Sequence, residues 1–246
     1  MIALVQCVGR KILMQAVTVY RDLADLTWAA AALIIKLGAQ ALAERGAFHL
    51  ALSGGKTPLP LYALLALPEW RVRLDWSRVH VYFADERCVP PDHAESNYGM
   101  VQRALLEPVG LPEANVHRMR GEDAPEQAAE AYNALLRNVR LDLILLGMGE
   151  DAHTASLFPE TVALNETERA CVANYVPKLS AWRLTLTAPY INTAQHKVFL
   201  VSGAEKAQAL HAVLHGAHDP QRYPAQLIRE AQWLVDQAAA TPSKRA

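Results

Sequence analysis

The chain has 246 residues, of which 52% are hydrophobic and 20% charged, with a formal net charge of −1 at neutral pH. That length and apolar content suit one large α/β domain or two small ones with a sizeable core. The near-neutral balance, without a block of like charge, gives no electrostatic support for binding nucleic acid or an acidic membrane surface.

The three cysteines Cys7, Cys88 and Cys171 lie far apart, and no C-x-x-C spacing occurs. The pattern fits reduced thiols in a cytoplasmic protein, not a disulfide framework or a zinc knuckle. The opening MIALVQCVGRKILMQ is broken by Arg10 and Lys11 and lacks the charge-then-apolar order of a signal peptide. It is expected to be a peripheral N-terminal extension over 1–15, with Met14 a candidate natural start and a single folded domain over 16–246. No uninterrupted apolar run reaches the roughly 18 to 20 residues that span a bilayer.

AVTVY (16–20) reads as a strand, and Asp22 to Arg45 as a long Ala- and Leu-rich helix stopped by Gly46. FHLAL (48–52) is a strand leading into SGGKTP, and Pro58 to Leu67 a helix with proline at its start. VHVYFA (79–84) is β-rich and ends at Asp85-Glu86-Arg87. A loop with Pro90 and Pro91, a helix from Asn97 to Glu107, a short strand near Val116 and a helix from Pro125 to Asn138 follow. The run Leu141 to Leu146 reads as a buried strand that breaks at Gly147-Met148-Gly149. Glu150, Asp151 and His153 come next, with Thr154 and Ser156 opening a short helix. Further on, Arg183 to Thr187, His196 to Val201 and Trp233 to Val235 read as strands, and Ala204 to His215 and Pro224 to Glu230 as helices. This alternation predicts an α/β, Rossmann-like open sheet, mostly parallel, with helices on both faces.

Three segments at the carboxyl ends of strands could receive an anion. In Ser53-Gly54-Gly55-Lys56-Thr57-Pro58 two glycines free the backbone amides at a helix N-terminus, which makes a phosphate cradle or, equally, an ordinary turn. The Walker spacing is absent. Arg87 suits bidentate phosphate pairing, and Asp85 suits either sugar hydroxyls or holding Arg87, although such a triplet is more often a solvated charge cluster. Lys206, after Ser202-Gly203, offers a point charge, and Arg183 a weaker one. His153, delivered beyond the carboxyl end of a strand, is a candidate base.

Other signals are weaker. GMGEDA fits a dinucleotide fingerprint, but Pro159 cuts short the following helix, and no acidic residue ends a strand about 20 residues on. His211, His215 and His218 lack the glutamate of a helical zinc motif. His80 alternates within a strand as a packed histidine would. Ser53 lacks the G-x-S-x-G setting of a hydrolase nucleophile.

Four motifs in order resemble the 6-phosphogluconolactonases, within the group that includes glucosamine-6-phosphate deaminase. They are SGGKTP, VYFADERCVPPDHAESNYGM, GMGEDAHTASLFP and VSGAEKAQAL, and the resemblance extends over nearly all of the chain from about residue 16. Arg87 and Thr154-Ala155-Ser156-Leu157-Phe158 follow the lactonase pattern and not the deaminase one. Where the family usually has glycine, this chain has Ala152; a positive φ there would cost an alanine about 1 kcal/mol.

The resemblance implies hydrolysis of a phosphosugar lactone without metal or other cofactor, by a monomer or weak homo-oligomer. His153 would act as base and Asp151 as its orienting partner. Ser53, Gly54, Gly55, Lys56, Thr57, Asp85, Arg87, Arg183 and Lys206 would bind substrate, with amides around Gly147 to Gly149, or a nearby cation, at the oxyanion. The rivals are a deaminase- or isomerase-like enzyme and a non-catalytic sugar-phosphate sensor. A sensor usually carries a DNA-binding helix-turn-helix, for which the residues before the first strand are too few.

Overall fold

The computed structural model describes residues 16–241. The proposed extension over 1–15, the candidate start at Met14 and Cys7 lie outside the described residues. Nine strands occur among the described residues: β1 (Ala16–Tyr20), β2 (Phe48–Leu52), β3 (Val79–Phe83), β4 (Asp85–Arg87), β5 (Leu143–Leu146), β6 (Cys171–Val176), β7 (Ala181–Leu186), β8 (His196–Val201) and β9 (Gln232–Asp236). Six form one parallel sheet in the order β1-β9-β8-β5-β2-β3, and the other three an antiparallel sheet in the order β4-β7-β6.

The order of the large sheet fixes where a ligand can sit. From β2 the chain crosses to its neighbour β3, whereas from β5 it crosses the other way to β8 and then β9. Right-handed crossovers in opposite directions place helices on opposite faces of the sheet. They also open a crevice between the carboxyl ends of the two strands whose connections diverge. Those strands are β2 and β5, which are hydrogen-bonded neighbours. The loops that begin at Ser53 and Gly147 therefore flank the switch point.

The first helix, Leu23–Arg45, shows how locally determined the frame is. Asp22 caps it by accepting from the Asp25 amide, and Gly46 ends it at φ 81°, donating to the Leu42 carbonyl. Leu26, Ala30, Ile34, Leu37 and Ala41 recur at helical spacing, and all are buried. Burying each large side chain of that stripe contributes about 1.5–3 kcal/mol. By length and composition this helix also meets the requirements of a membrane span; Lys36 and a few polar residues hide that from a search for unbroken apolar runs. Half of its most apolar window is buried within the domain, where it packs against β1, β2, β9 and the helix Leu59–Ala66.

Four expectations are corrected. The small sheet goes beyond the expected elements: Asp85–Arg87 is a strand of its own and not merely the end of Val79–Phe83, and β6 falls in a stretch that carried no assignment. No helix opens at Thr154. Thr154 and Leu157 form an isolated bridge, the Thr154 hydroxyl donates to the Gly147 carbonyl and Ala155 lies at φ 47°, so tertiary bonds take the groups that would cap a helix. The region near Val116 makes only a single bridge to Val81 after a 3-10 turn, and the segment from Pro224 is a 3-10 turn ending at Leu227.

Candidate active site

The loop after β5 folds back on itself and presents two side chains side by side. The Gly149 amide donates to the His153 carbonyl at 2.8 Å, and the Ala152 amide to the Gly149 carbonyl at 3.0 Å. In that turn Asp151 Oδ1 lies 2.5 Å from His153 Nδ1. The imidazole stacks on the Phe158 ring, with centroids 4.0 Å apart. The turn needs glycine at 149, because a Cβ there would stand 2.1 Å from His153 Nδ1 and 2.7 Å from Asp151 Oδ1. Ala152 does lie at positive φ, 62°. Its methyl is fully buried, and its carbonyl accepts from the Ala225 amide.

The second carboxylate oxygen of Asp151 is also engaged. Lys178, in the 3-10 turn Pro177–Leu179 between β6 and β7, donates to Oδ2 at 2.8 Å. Burial pushes the Asp151 carboxyl up, but the hydrogen bonds from His153 and Lys178 outweigh it and hold the group well below the usual carboxylate range. Asp151 is thus a carboxylate at any working pH. With Nδ1 of His153 committed to it, Nε2 is the nitrogen left for proton transfer.

The pair lines a cavity of about 380 Å³, a size that fits a small ligand. Two arginines from the small sheet face it: Arg87 on β4 and Arg183 on β7 are cross-strand partners. Among the described residues neither makes an ion pair; Arg87 donates to the Glu95 carbonyl and Arg183 to the Trp182 carbonyl. Burial pulls the Arg183 guanidinium down, and the neighbouring Arg87 adds to it. Two unpaired guanidiniums so close repel each other, and a divalent anion between them would relieve both. Lys206 lines the same cavity, only loosely met by Glu150 at 3.8 Å.

Asp85 lines the same cavity but does not hold Arg87. It accepts from Ser156 Oγ at 2.7 Å and from Asn97 Nδ2 at 3.2 Å, which ties the catalytic loop to the small sheet. Nor is the triplet a solvated cluster: Asp85 and Glu86 are 8% and 2% exposed. Glu86 accepts the amides of Arg87, Asn97 and Tyr98 and the Ser96 hydroxyl.

Of the residues singled out from sequence, Asp85, Arg87, Gly149, Asp151, His153, Arg183 and Lys206 are brought together on the cavity wall. Ser53, Gly54, Gly55, Lys56, Thr57 and Gly147 do not line it. Ser53 instead donates its hydroxyl to the Leu145 carbonyl and accepts from Tyr62 through its backbone. Gly54 is pressed against Asn97, whose Oδ1 would lie 1.7 Å from a Cβ. The Gly149 amide, spent on His153, is not free for an oxyanion. Sequence reasoning missed Glu150, Ala155, Ser156, Phe158, Lys178 and Leu179 as cavity residues. Glu150, Ala155, Ser156 and Phe158 lay within the quoted motif, whereas Lys178 and Leu179 sit in a turn between two strands, one of which went unseen.

The family model for glucosamine-6-phosphate isomerases/6-phosphogluconolactonase matches residues 21–236. A 6-phosphogluconolactonase of Synechocystis is 46% identical over 213 residues, covering 81% of this chain and 86% of its own. The 6-phosphogluconolactonase of Haemophilus influenzae is 36% identical over 199 residues, covering 78% and 85%. The crystal structure of a 6-phosphogluconolactonase from Shewanella baltica superimposes with a TM-score of 0.82 at 27% identity, over 92% of this chain and 99% of that one.

Proposed function

The chain belongs to the family of glucosamine-6-phosphate isomerases and 6-phosphogluconolactonases, and from that premise we infer that it hydrolyses 6-phospho-D-glucono-1,5-lactone to 6-phospho-D-gluconate in the oxidative pentose phosphate pathway. The observation that carries the reading is the Asp151–His153 pair in one cavity with two arginines that lack carboxylate partners. Such a cavity holds both a group for proton transfer and cations that suit a phosphate.

The phosphate sits against Arg87 and Arg183, with Lys206 as a third positive group. Binding energy spent there holds the lactone ring against the imidazole. His153 takes a proton from water, and the resulting hydroxide attacks the lactone carbonyl carbon. The tetrahedral intermediate then collapses with cleavage of the bond to the ring oxygen, and the imidazolium returns its proton to that oxygen. Asp151 holds the tautomer and stabilises the imidazolium as it forms. Because the Gly149 amide is engaged within the loop, a cationic side chain on the cavity wall is the better oxyanion partner.

A lactone is an activated ester, so these groups suffice without a cofactor. We further place the enzyme in the cytoplasm as a monomer or weak homo-oligomer. Sedimentation at micromolar concentration tests the latter, and a stable dimer would overturn it.

The function is tested by proton release from freshly generated lactone, measured above spontaneous hydrolysis. The account expects clear acceleration and no ammonia from glucosamine 6-phosphate. Ammonia release without lactone acceleration would transfer the protein to the deaminase branch.

A further inference from the structure

The mechanism uses Asp151 and His153, yet the carboxylate has a second partner. Asp151 Oδ1 meets His153, and Oδ2 meets the Lys178 ammonium at 2.8 Å. Lys178 belongs to neither the loop nor the sheet that supplies the pair. It comes from the β6–β7 turn of the small sheet, whose strand β7 also carries Arg183. We propose that Lys178 is a positioning residue for the reaction: it grips the far oxygen of Asp151, fixes the carboxylate plane, and divides the negative charge that the imidazole feels. This inference rests on the lactonase reading for its kinetic readout.

The physical argument is one of geometry and charge. A carboxylate bonded at one oxygen can still turn about its Cβ–Cγ bond; bonded at both, it cannot. The Asp151 side chain is 23% exposed and His153 30%, so the pair is only partly sheltered. Lys178, at 68%, screens the open side. An ammonium on one oxygen also weakens the hold of the carboxylate on an imidazolium bound to the other. Without Lys178 the undivided carboxylate would keep a proton on the imidazole at higher pH, and fewer molecules would carry the free base.

The other charged groups around the cavity are Asp85 and Arg87 on β4, Arg183 on β7, Glu150 on the catalytic loop and Lys206 after β8. All are common to wild type and a Lys178 variant, so the difference between the proteins reports Lys178.

The test compares Lys178→Met and Lys178→Arg with wild type by two readouts. The first is NMR titration of the His153 ring in the free enzyme, which needs no turnover. The second is kcat and KM for the lactone across pH. For Lys178→Met we expect the His153 titration and the acid limb of kcat/KM to move upward together, by roughly 0.3 to 1 pH unit. We also expect kcat to fall roughly 3- to 30-fold, with KM changed less than about twofold. Lys178→Arg should restore most of both, and added salt should shrink the titration shift.

An unmoved titration overturns the proposal. So does a raised KM with an unmoved titration, which would make Lys178 a substrate contact instead. If wild type does not outpace spontaneous hydrolysis, the lactonase reading fails by itself, and the NMR titration still decides whether Lys178 governs the pair.

Discussion

At residue 149 there is no room for even a methyl group. A Cβ would fall 2.1 Å from His153 Nδ1 and 2.7 Å from Asp151 Oδ1, the two atoms whose contact defines the site. Gly149→Ala is therefore expected to cost activity far more than stability. We predict a loss of at least about 100-fold in kcat/KM, with Tm moving by only a few degrees, because displacing a catalytic group by an ångström can cost that much. Wild-type turnover in this variant would mean that the observed contact is not the working one. Ala152 is the contrasting case. Its φ of 62° costs an alanine about 1–2 kcal/mol, which glycine would relieve. But Ala152→Gly also removes a buried methyl worth about 0.8 kcal/mol and loosens the unfolded chain by about 0.4–1 kcal/mol. The two sides nearly cancel, so urea denaturation is expected to put this variant within about 1 kcal/mol of wild type. This explains how the chain tolerates alanine where its family prefers glycine.

Among the elements, the small sheet does most to assemble the site and was least visible beforehand. Its strands deliver Arg87 and Arg183, and its turn delivers Lys178. The strands of the large sheet declare themselves through apolar runs such as Leu143–Leu146, and Asp22 and Gly46 mark the ends of the first helix. Strand β4 is three residues long and entirely charged, so periodicity cannot register it. Strand β6 hides because Asn174 occupies a fully buried position, where it donates to the Ser156 carbonyl and Thr161 Oγ1. The catalytic loop was legible as chemistry but not as conformation. Thr154 and Ser156 look like helix starters until their hydroxyls are seen bonded to Gly147 and Asp85. The close packing of the glycine loop was not legible either: Gly54 admits Asn97, and the loop residues are not among those lining the cavity. Glu86 is the latch that makes β4 an element, because it gathers three backbone amides and a hydroxyl while 2% exposed. Burial raises its carboxyl against the pull of those amides. Glu86→Gln turns an amide group toward donors that need an acceptor, and should destabilise the protein by about 2–3 kcal/mol in urea denaturation. An unchanged midpoint would remove Glu86 from that role.

Over the whole molecule, topology puts chemistry at one end of the sheet and leaves a histidine cluster among the strands. His49 and His80 are paired on β2 and β3, and His80 Nδ1 lies 3.2 Å from His117 Nε2. Burial lowers His49 and His117, with neighbouring histidines adding to it, and burial also lowers His196. A base lowered in the folded state binds fewer protons there than in the unfolded chain, so the stability it permits drains away as pH falls through about 6.5. Asp151 and Glu166 act later: both are lowered, Glu166 to about 2, so their contribution is lost only as pH falls below the ordinary carboxylate range. Raised Glu86 works weakly in the opposite sense. Tm measured against pH should therefore decline in two stages, and His117→Gln should flatten the first; a decline confined to the carboxylate range would contradict the histidine account.

The central claim, that Asp151 and His153 form the proton-transfer pair of a lactone hydrolase, is tested most directly by proton release from fresh 6-phosphogluconolactone with wild type and His153→Ala side by side. The account predicts strong acceleration by wild type and a kcat lower by roughly 10²- to 10⁴-fold in the variant, the usual worth of a general base. Equal acceleration by both proteins would contradict it.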